Sequence, residues 1–326
     1  MIKKTLILIT IFLLSFILSS CDNDIKFTEE AVIIQTDNYQ MTGMLTLPNG
    51  IKENLPAVVL IGGSGPTDMN SSVGELEPFK DIAYGLAKKG IASIRFNKRT
   101  LQYQSELVTD YNFTPQDEYI DDALSAIHLL WDDERIDNEN IFLIGHSQGG
   151  QFAPVIANQT DKLKGIVVMA GTTSHILDLL MEQILTNYGQ TQYNEYLPYY
   201  EAVIDIQAPD TSKYNYAYFG AYYNYWLEYN IIDFEAELLE CGQNHSILVM
   251  QGGKDIQVYP KYYERYQELL PYSTEYLVSH VLYPKLNHMF VDGGNETIYT
   301  AYSKKANVDQ NVIDTLADSI FGIWPD

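Results

Sequence analysis

The chain has 326 residues, 46% hydrophobic and 19% charged, with 20 Lys and Arg against 43 Asp and Glu and a formal net charge of −23. That apolar share supports a sizeable core and excludes wholesale disorder, while the acidic balance argues against nucleic-acid binding, which needs clustered Lys and Arg. Length alone gives about two domains, or one large domain with an insertion; the 2 Cys cannot build a disulfide framework, and the 26 Tyr against 12 Phe are an unusual excess.

Residues 1–20 open with Lys3 and Lys4, followed by an apolar run from Thr5 to Leu18. The run is shorter than the roughly 20 residues a membrane-spanning helix needs. It fits a secretory signal peptide. Leu18-Ser19-Ser20-Cys21 resembles a bacterial lipobox. That resemblance implies cleavage before Cys21, several acyl chains on it, and stable anchoring to a bacterial membrane outside the cytoplasm. Residues 21–30 then form a tether. Cys241 is left as the lone thiol of the mature chain.

Ala31 to Thr36 and Met41 to Leu47 are β-like runs joined by an Asp-Asn turn, a predicted hairpin. Ala57 to Ile61 is continuously apolar and ends in Gly62-Gly63-Ser64-Gly65-Pro66. Ile91 to Phe96, Ile141 to Ile144, Gly165 to Met169, Ile247 to Met250 and Leu277 to Leu282 repeat that pattern. Such runs suit strands buried on both faces of a parallel sheet. Between them, Phe79, Ile82, Ala83, Leu86 and Ala87 keep helical spacing up to Gly90. A second helix starts at Thr114-Pro115 with Asp117 three residues after the cap, and runs through Ile120, Ala123, Ile127 and Leu130. Val312, Ile313, Leu316 and Ile320 mark a C-terminal helix. The alternation predicts an α/β fold with a mostly parallel sheet of about eight strands flanked by helices.

Residues 172–241 break the alternation. They hold nearly half of the Tyr, with 11 acids and the single base Lys213. This segment reads as a helical insertion after the sixth strand, so residues 31–171 and 242–326 form one catalytic domain and 172–241 its cap.

Gly145-His146-Ser147-Gln148-Gly149 follows a buried strand and precedes helix-compatible Gln151 to Ala157. The pattern Gly-x-Ser-x-Gly arises by chance on the order of 0.1 times in such a chain, given average composition. Its placement between strand and helix therefore carries the weight. A turn this sharp strains the Ser backbone, requires small flanks and presents the hydroxyl at the strand end. The motif resembles the nucleophile elbow of the α/β-hydrolase superfamily, which implies Ser147 as nucleophile. Gly62 to Pro66, Asn97-Lys98-Arg99-Thr100, Ala170 to Thr173, Gln251 to Val258 and Leu286 to Phe290 are similar to its dienelactone hydrolase-like and serine aminopeptidase-like esterase branch. The likeness runs from about residue 30 onward and is weakest in the insertion.

A serine nucleophile needs a base, and the base needs a carboxylate. His288 follows the last strand at the edge that carries Ser147, where open α/β sheets gather their active groups. Among the other His, His146 flanks the Ser, His175 could border the site, and His128, His245 and His280 sit in a helix, before a strand and within one. Asp255 follows Gln251-Gly252-Gly253-Lys254 at the same edge and falls between Ser and His, the α/β-hydrolase order. The oxyanion needs two preorganised donors. The Gln148 amide supplies one, and the resemblance points to the Ser64 amide for the other. Many members carry His where this chain has Gly62. Asp68 and Arg99 read as loop-shaping or surface residues. The chain carries no Cys-x-x-Cys, His-Glu-x-x-His or phosphate-loop lysine motif, so no metal or cofactor is expected.

The acidic insertion disfavours anionic substrates such as acyl-CoA, and its aromatic side chains offer flat apolar walls. The expected function is a lipid-anchored serine hydrolase of small-molecule carboxylic esters. A peptidase or amidase on the same triad, and a non-catalytic binding lipoprotein on this scaffold, are the alternatives.

Overall fold

A computed structural model describes residues 27–325 apart from 37–38, 52, 273–276, 296 and 298–299. The expected signal peptide, Cys21 and most of the expected tether lie outside the described residues. The strands are β1 (Phe27–Thr36), β2 (Tyr39–Pro48), β3 (Leu55–Ile61), β4 (Ala92–Phe96), β5 (Ile136–His146), β6 (Gly165–Met169), β7 (Ala217–Tyr218), β8 (Ala221–Tyr222), β9 (Ser246–Gly252) and β10 (Val278–Tyr283). The α-helices are α1 (Pro78–Lys88), α2 (Arg99–Gln102), α3 (Gln104–Leu107), α4 (Asp121–Trp131), α5 (Gln148–Ala157), α6 (Ile176–Glu201), α7 (Tyr223–Asn230), α8 (Phe234–Asn244), α9 (Pro260–Leu269) and α10 (Gln310–Ile320).

Eight strands form one sheet in the order β1-β2-β4-β3-β5-β6-β9-β10. β1 and β2 pair antiparallel with Ile34 opposite Met41, and β2 meets β4 antiparallel. Every pair from β4 to β10 is parallel. β1 starts at Phe27, so residues 27–30, expected in the tether, belong to the sheet. Alternating strand residues feed two cores. Val59 and Leu143 pack with Ile127 of α4, Phe152 of α5 and Leu238 of α8. Val58, Leu60 and Ile144 pack with Phe79 and Leu86 of α1 and Val312 and Leu316 of α10. Burial on both faces is why the strands read as unbroken apolar runs.

α1 stops before Gly90 (φ +91°), as the periodicity predicts. The cap before α4 also forms. Thr114 Oγ1 donates to Asp117 Oδ2 at 2.7 Å, and the Asp117 amide reaches back to Thr114 Oγ1 at 3.4 Å. The turn that follows differs from expectation, because Gln116–Ile120 is wound as a π-helix. The insertion between β6 and β9 contains α6, α7 and α8 with the two-stranded hairpin β7-β8, so it is not wholly helical. α6 is broken at Gly189 (φ 83°, ψ 179°), whose conformation is foreign to a helix.

The loop after β4 is fixed by charge. Arg99 is 1% exposed, and its guanidinium donates to Asp122 at the start of α4 and to Asp117, 3.3 Å away. Arg99 is therefore a loop-shaping residue, and it is buried rather than on the surface. Asp68 also shapes a loop, accepting from the amides of Asn70 and Ser72. Removing one member of a buried pair strands the other without compensation, so Asp122→Ala should lower the unfolding free energy by about 3–5 kcal/mol. Urea denaturation measures this; a loss below about 1 kcal/mol would mean that Asp117 suffices.

Candidate active site

β5 ends at His146 and α5 begins at Gln148, so Ser147 is the whole of the turn between them. Its backbone sits at φ 57°, ψ −122°, a strained position for a residue with a side chain. The flanking glycines are required by contact. A Cβ on Gly145 would lie 2.2 Å from the Gly149 oxygen, and one on Gly149 would lie 2.5 Å from the carbonyl oxygens of Ile61 and Gly62. The Ser147 amide donates to Met169 O at 2.8 Å, pinning the turn to β6.

The loop after β10 carries His288, and the turn after β9 carries Asp255. His288 Nδ1 lies 2.7 Å from Asp255 Oδ2. A carboxylate can only accept, so Nδ1 carries the hydrogen and Nε2 is free to act as a base. Asp255 is held by the amides of Gln257 and Val258 at 2.8 and 2.9 Å and by Gln251 Nε2 at 2.9 Å. His288 and Asp255 are 1% and 4% exposed, so their geometry is locked by packing. His146 Nε2 donates to the His288 carbonyl at 2.8 Å. One bond thus joins the residue before Ser147 to the His-bearing loop.

The glycine loop after β3 closes over the serine. A Cβ on Gly63 would come within 3.0 Å of Ser147 Cβ. At Gly62 a Cβ would lie 2.7 Å from Thr67 Oγ1, so a larger residue there would have to displace Thr67. Gln148 is the first residue of α5, and its amide has no intrahelical acceptor. Behind the loop stands a cluster that the sequence did not bring together: Lys98, named there only within the Asn97 to Thr100 segment, with Glu118 and Tyr119. Lys98 Nζ donates to the Gly63 carbonyl at 2.9 Å and to Glu118 Oε1 at 2.6 Å. Tyr119 OH donates to Gln148 Oε1 at 2.8 Å and lies 3.3 Å from the same Gly63 oxygen. The available signals for Lys98 were its place in the Asn97-Lys98-Arg99-Thr100 segment and its position two residues after a buried strand, at the edge that carries Ser147.

Ser64, Ser147 and Gln148 border a cavity of about 660 Å³. Its walls are mainly apolar, with aliphatic side chains from Leu107 and Val108 of the α3 region and Ile176, Leu177, Leu179 and Leu180 of α6. Phe113, Phe219, Tyr222, Tyr225 and Trp226 add rings. Asp110 and Glu118 are the charged residues of the lining, which holds no Lys or Arg. Of the tyrosines in residues 172–241, Tyr222 and Tyr225 reach the cavity, whereas Tyr188, Tyr199 and Tyr216 are more than half exposed. Most of the Tyr excess therefore packs or solvates the insertion rather than lining the site. His175 serves the insertion too, accepting from the Leu177 amide to start α6 and contacting Asn230 at 2.9 Å.

This strand order, elbow and Ser-Asp-His sequence define an α/β-hydrolase fold. The chain belongs to the prolyl oligopeptidase family, whose profile matches residues 78–306. The likeness to esterase branches read from the motifs is thus shared at the level of the superfamily. Esterase EstD of Thermotoga maritima is 32% identical over 280 residues, covering 85% of this chain. The chain spans 64% of that esterase's length. Among solved structures, Est1E from Butyrivibrio proteoclasticus superposes with a TM-score of 0.57 at 15% identity, over 90% of this chain and 99% of that one. Pyrococcus horikoshii acylaminoacyl peptidase gives 0.53 at 15% identity, over 91% of this chain and 42% of its own. Both are likenesses of fold.

His146 has a pH signature. Burial, and then the neighbouring His288, pushes its imidazole down from 6.5 to about 3. The unfolded chain takes up that proton near pH 6.5 and the folded chain only near 3. Stability from this group is therefore complete above pH 6.5 and is lost as pH falls from 6.5 toward 3. The slope is about 1.4 kcal/mol per pH unit for one proton. His146→Gln should remove about one proton from the slope between pH 6 and 4 in urea titrations; an unchanged slope would show that His146 does not stay neutral.

Proposed function

We propose that the protein is a serine hydrolase of carboxylic esters with uncharged, apolar acyl groups. The observation that carries this is the 2.7 Å bond from His288 to a fully donated Asp255, in a loop tied by His146 to a strained Ser147 that borders an apolar cavity. Ser147 Oγ attacks the ester carbonyl while His288 Nε2 takes its proton, and the C–O bond to serine forms. The Gln148 and Ser64 amides receive the oxyanion. Collapse breaks the bond to the alcohol, which leaves with the proton from His288. Water then attacks the acyl-serine, His288 takes a proton from it, and the acid departs as Ser147 regains its hydrogen. Asp255 holds the His288 tautomer throughout. A lining without Lys or Arg offers no partner to an anionic substrate.

A peptidase on the same residues is the second reading, favoured by the family match. The esterase reading draws on the name of the 32% identical relative. We further infer a lipoprotein anchored through Cys21 outside the cytoplasm. Its support is the sequence of residues 1–21 alone, and loss of palmitate labelling in Cys21→Ser would bear on it.

Matched acyl 4-nitrophenyl esters and aminoacyl 4-nitroanilides separate the two readings. The ester should show the larger kcat/KM for the chain starting after Cys21, and Ser147→Ala should cut kcat by on the order of 10⁴-fold or more. A larger kcat/KM on the anilide would overturn ester cleavage in favour of the peptidase.

A further inference from the structure

We propose that Lys98 is a positioning residue that sets the second oxyanion donor by gripping the Gly63 carbonyl. The assignment rests on the proposed acyl transfer at Ser147. It starts from the peptide joining Gly63 to Ser64. The described chain has no cis peptide bonds, so the Ser64 N–H points opposite to the Gly63 C=O. Whatever fixes that carbonyl also fixes the amide. Lys98 Nζ binds the carbonyl at 2.9 Å from behind the loop, where its side chain is 4% exposed. Ser64 itself faces the cavity together with Ser147 and Gln148. A carbonyl drawn into the interior thus turns the N–H toward the point where an oxyanion would form.

A buried ammonium is costly unless it is paired. Burial pushes Lys98 down from its ordinary value, and the Glu118 carboxylate opposes that shift. Glu118 Oε1 is 2.6 Å from Nζ, the Tyr119 ring centroid is 4.0 Å away, and the Lys98 amide donates to Thr67 O at 3.0 Å. Glu118 Oε2 accepts from Tyr225 of α7 at 2.8 Å, so the insertion helps to hold the cation in place. The Tyr119 hydroxyl reaches both the Gly63 carbonyl and the Gln148 side chain. One buried cluster therefore touches the carbonyl of the peptide that carries the Ser64 amide and the side chain of Gln148.

The test uses 4-nitrophenyl butyrate and an alkyl trifluoromethyl ketone, which adds to a serine and leaves an oxyanion in the hole. Lys98→Met should lower kcat by about 10- to 100-fold, part of the loss seen when an oxyanion donor is deleted outright. KM should stay within about threefold, and ketone affinity should fall in step with kcat, as for a group that acts only on the transition state. Ketone affinity and kcat within twofold of wild type would overturn the assignment, as would a rise in KM with unchanged ketone affinity. If Lys98→Met does not fold by circular dichroism, Tyr119→Phe is read on the same scale. It removes one hydroxyl from the cluster and should lower kcat and ketone affinity together by several-fold; no change in either overturns the assignment. A wild type that neither hydrolyses the ester nor binds the ketone overturns the hydrolase reading itself, an outcome separate from the others.

Discussion

The site depends on one close approach. Gly149, two residues past Ser147, lies so near the carbonyls of Ile61 and Gly62 that a single methyl group would not fit. That contact presses the start of α5 against the loop leaving β3. It holds Ser147 in its strained backbone and brings Gly63 over the serine. Strain of this kind persists only where the surroundings over-determine it. Here they do, through the Ser147 amide on β6 and the His146 ring on the His288 carbonyl. Three loops from β3, β5 and β10 are thereby locked to one another at the carboxyl edge of the sheet.

Much of this was legible in the sequence because the parts are short and local. The six unbroken apolar runs became the parallel strands β3, β4, β5, β6, β9 and β10, since a strand covered on both faces has no polar side to show, and the two β-like runs before them became the β1-β2 hairpin. Ser147, Asp255 and His288 could be ranked because topology alone puts them at one edge. What stayed hidden was long-range. Lys98 and Glu118 are 20 residues apart, and nothing in either segment says that they meet behind Gly63. The π-wound turn at Gln116–Ile120 also escaped, because the capping pattern of Thr114 and Asp117 suits an α-helix equally well.

The composition is explained by position. The Tyr-rich, acidic insertion supplies the roof of the cavity, but its inner surface is mostly Leu and Ile from α6 with Phe219, Tyr222, Tyr225 and Trp226. Tyr225 and Tyr229 turn their hydroxyls to Glu118, which borders the cavity, and to Gln151, whose amide donates to the Ser147 carbonyl. The insertion is thus wired by hydrogen bonds into the same layer that holds the serine loop. Polar tips on large rings suit this place, where a surface must be apolar toward the cavity and satisfied beneath it. The negative charge lies largely on the outside, with no cation in the lining to offset it for an anionic ligand.

The central claim is that Ser147 is the nucleophile in a preformed site. Treating the chain that starts after Cys21 with a fluorophosphonate and mapping the adduct by mass spectrometry tests it most directly. The account predicts one adduct per chain, on the peptide bearing Ser147, formed quickly by wild type and not by Asp255→Ala at the same rate. An unlabelled wild type, or an adduct on any other residue, would contradict it.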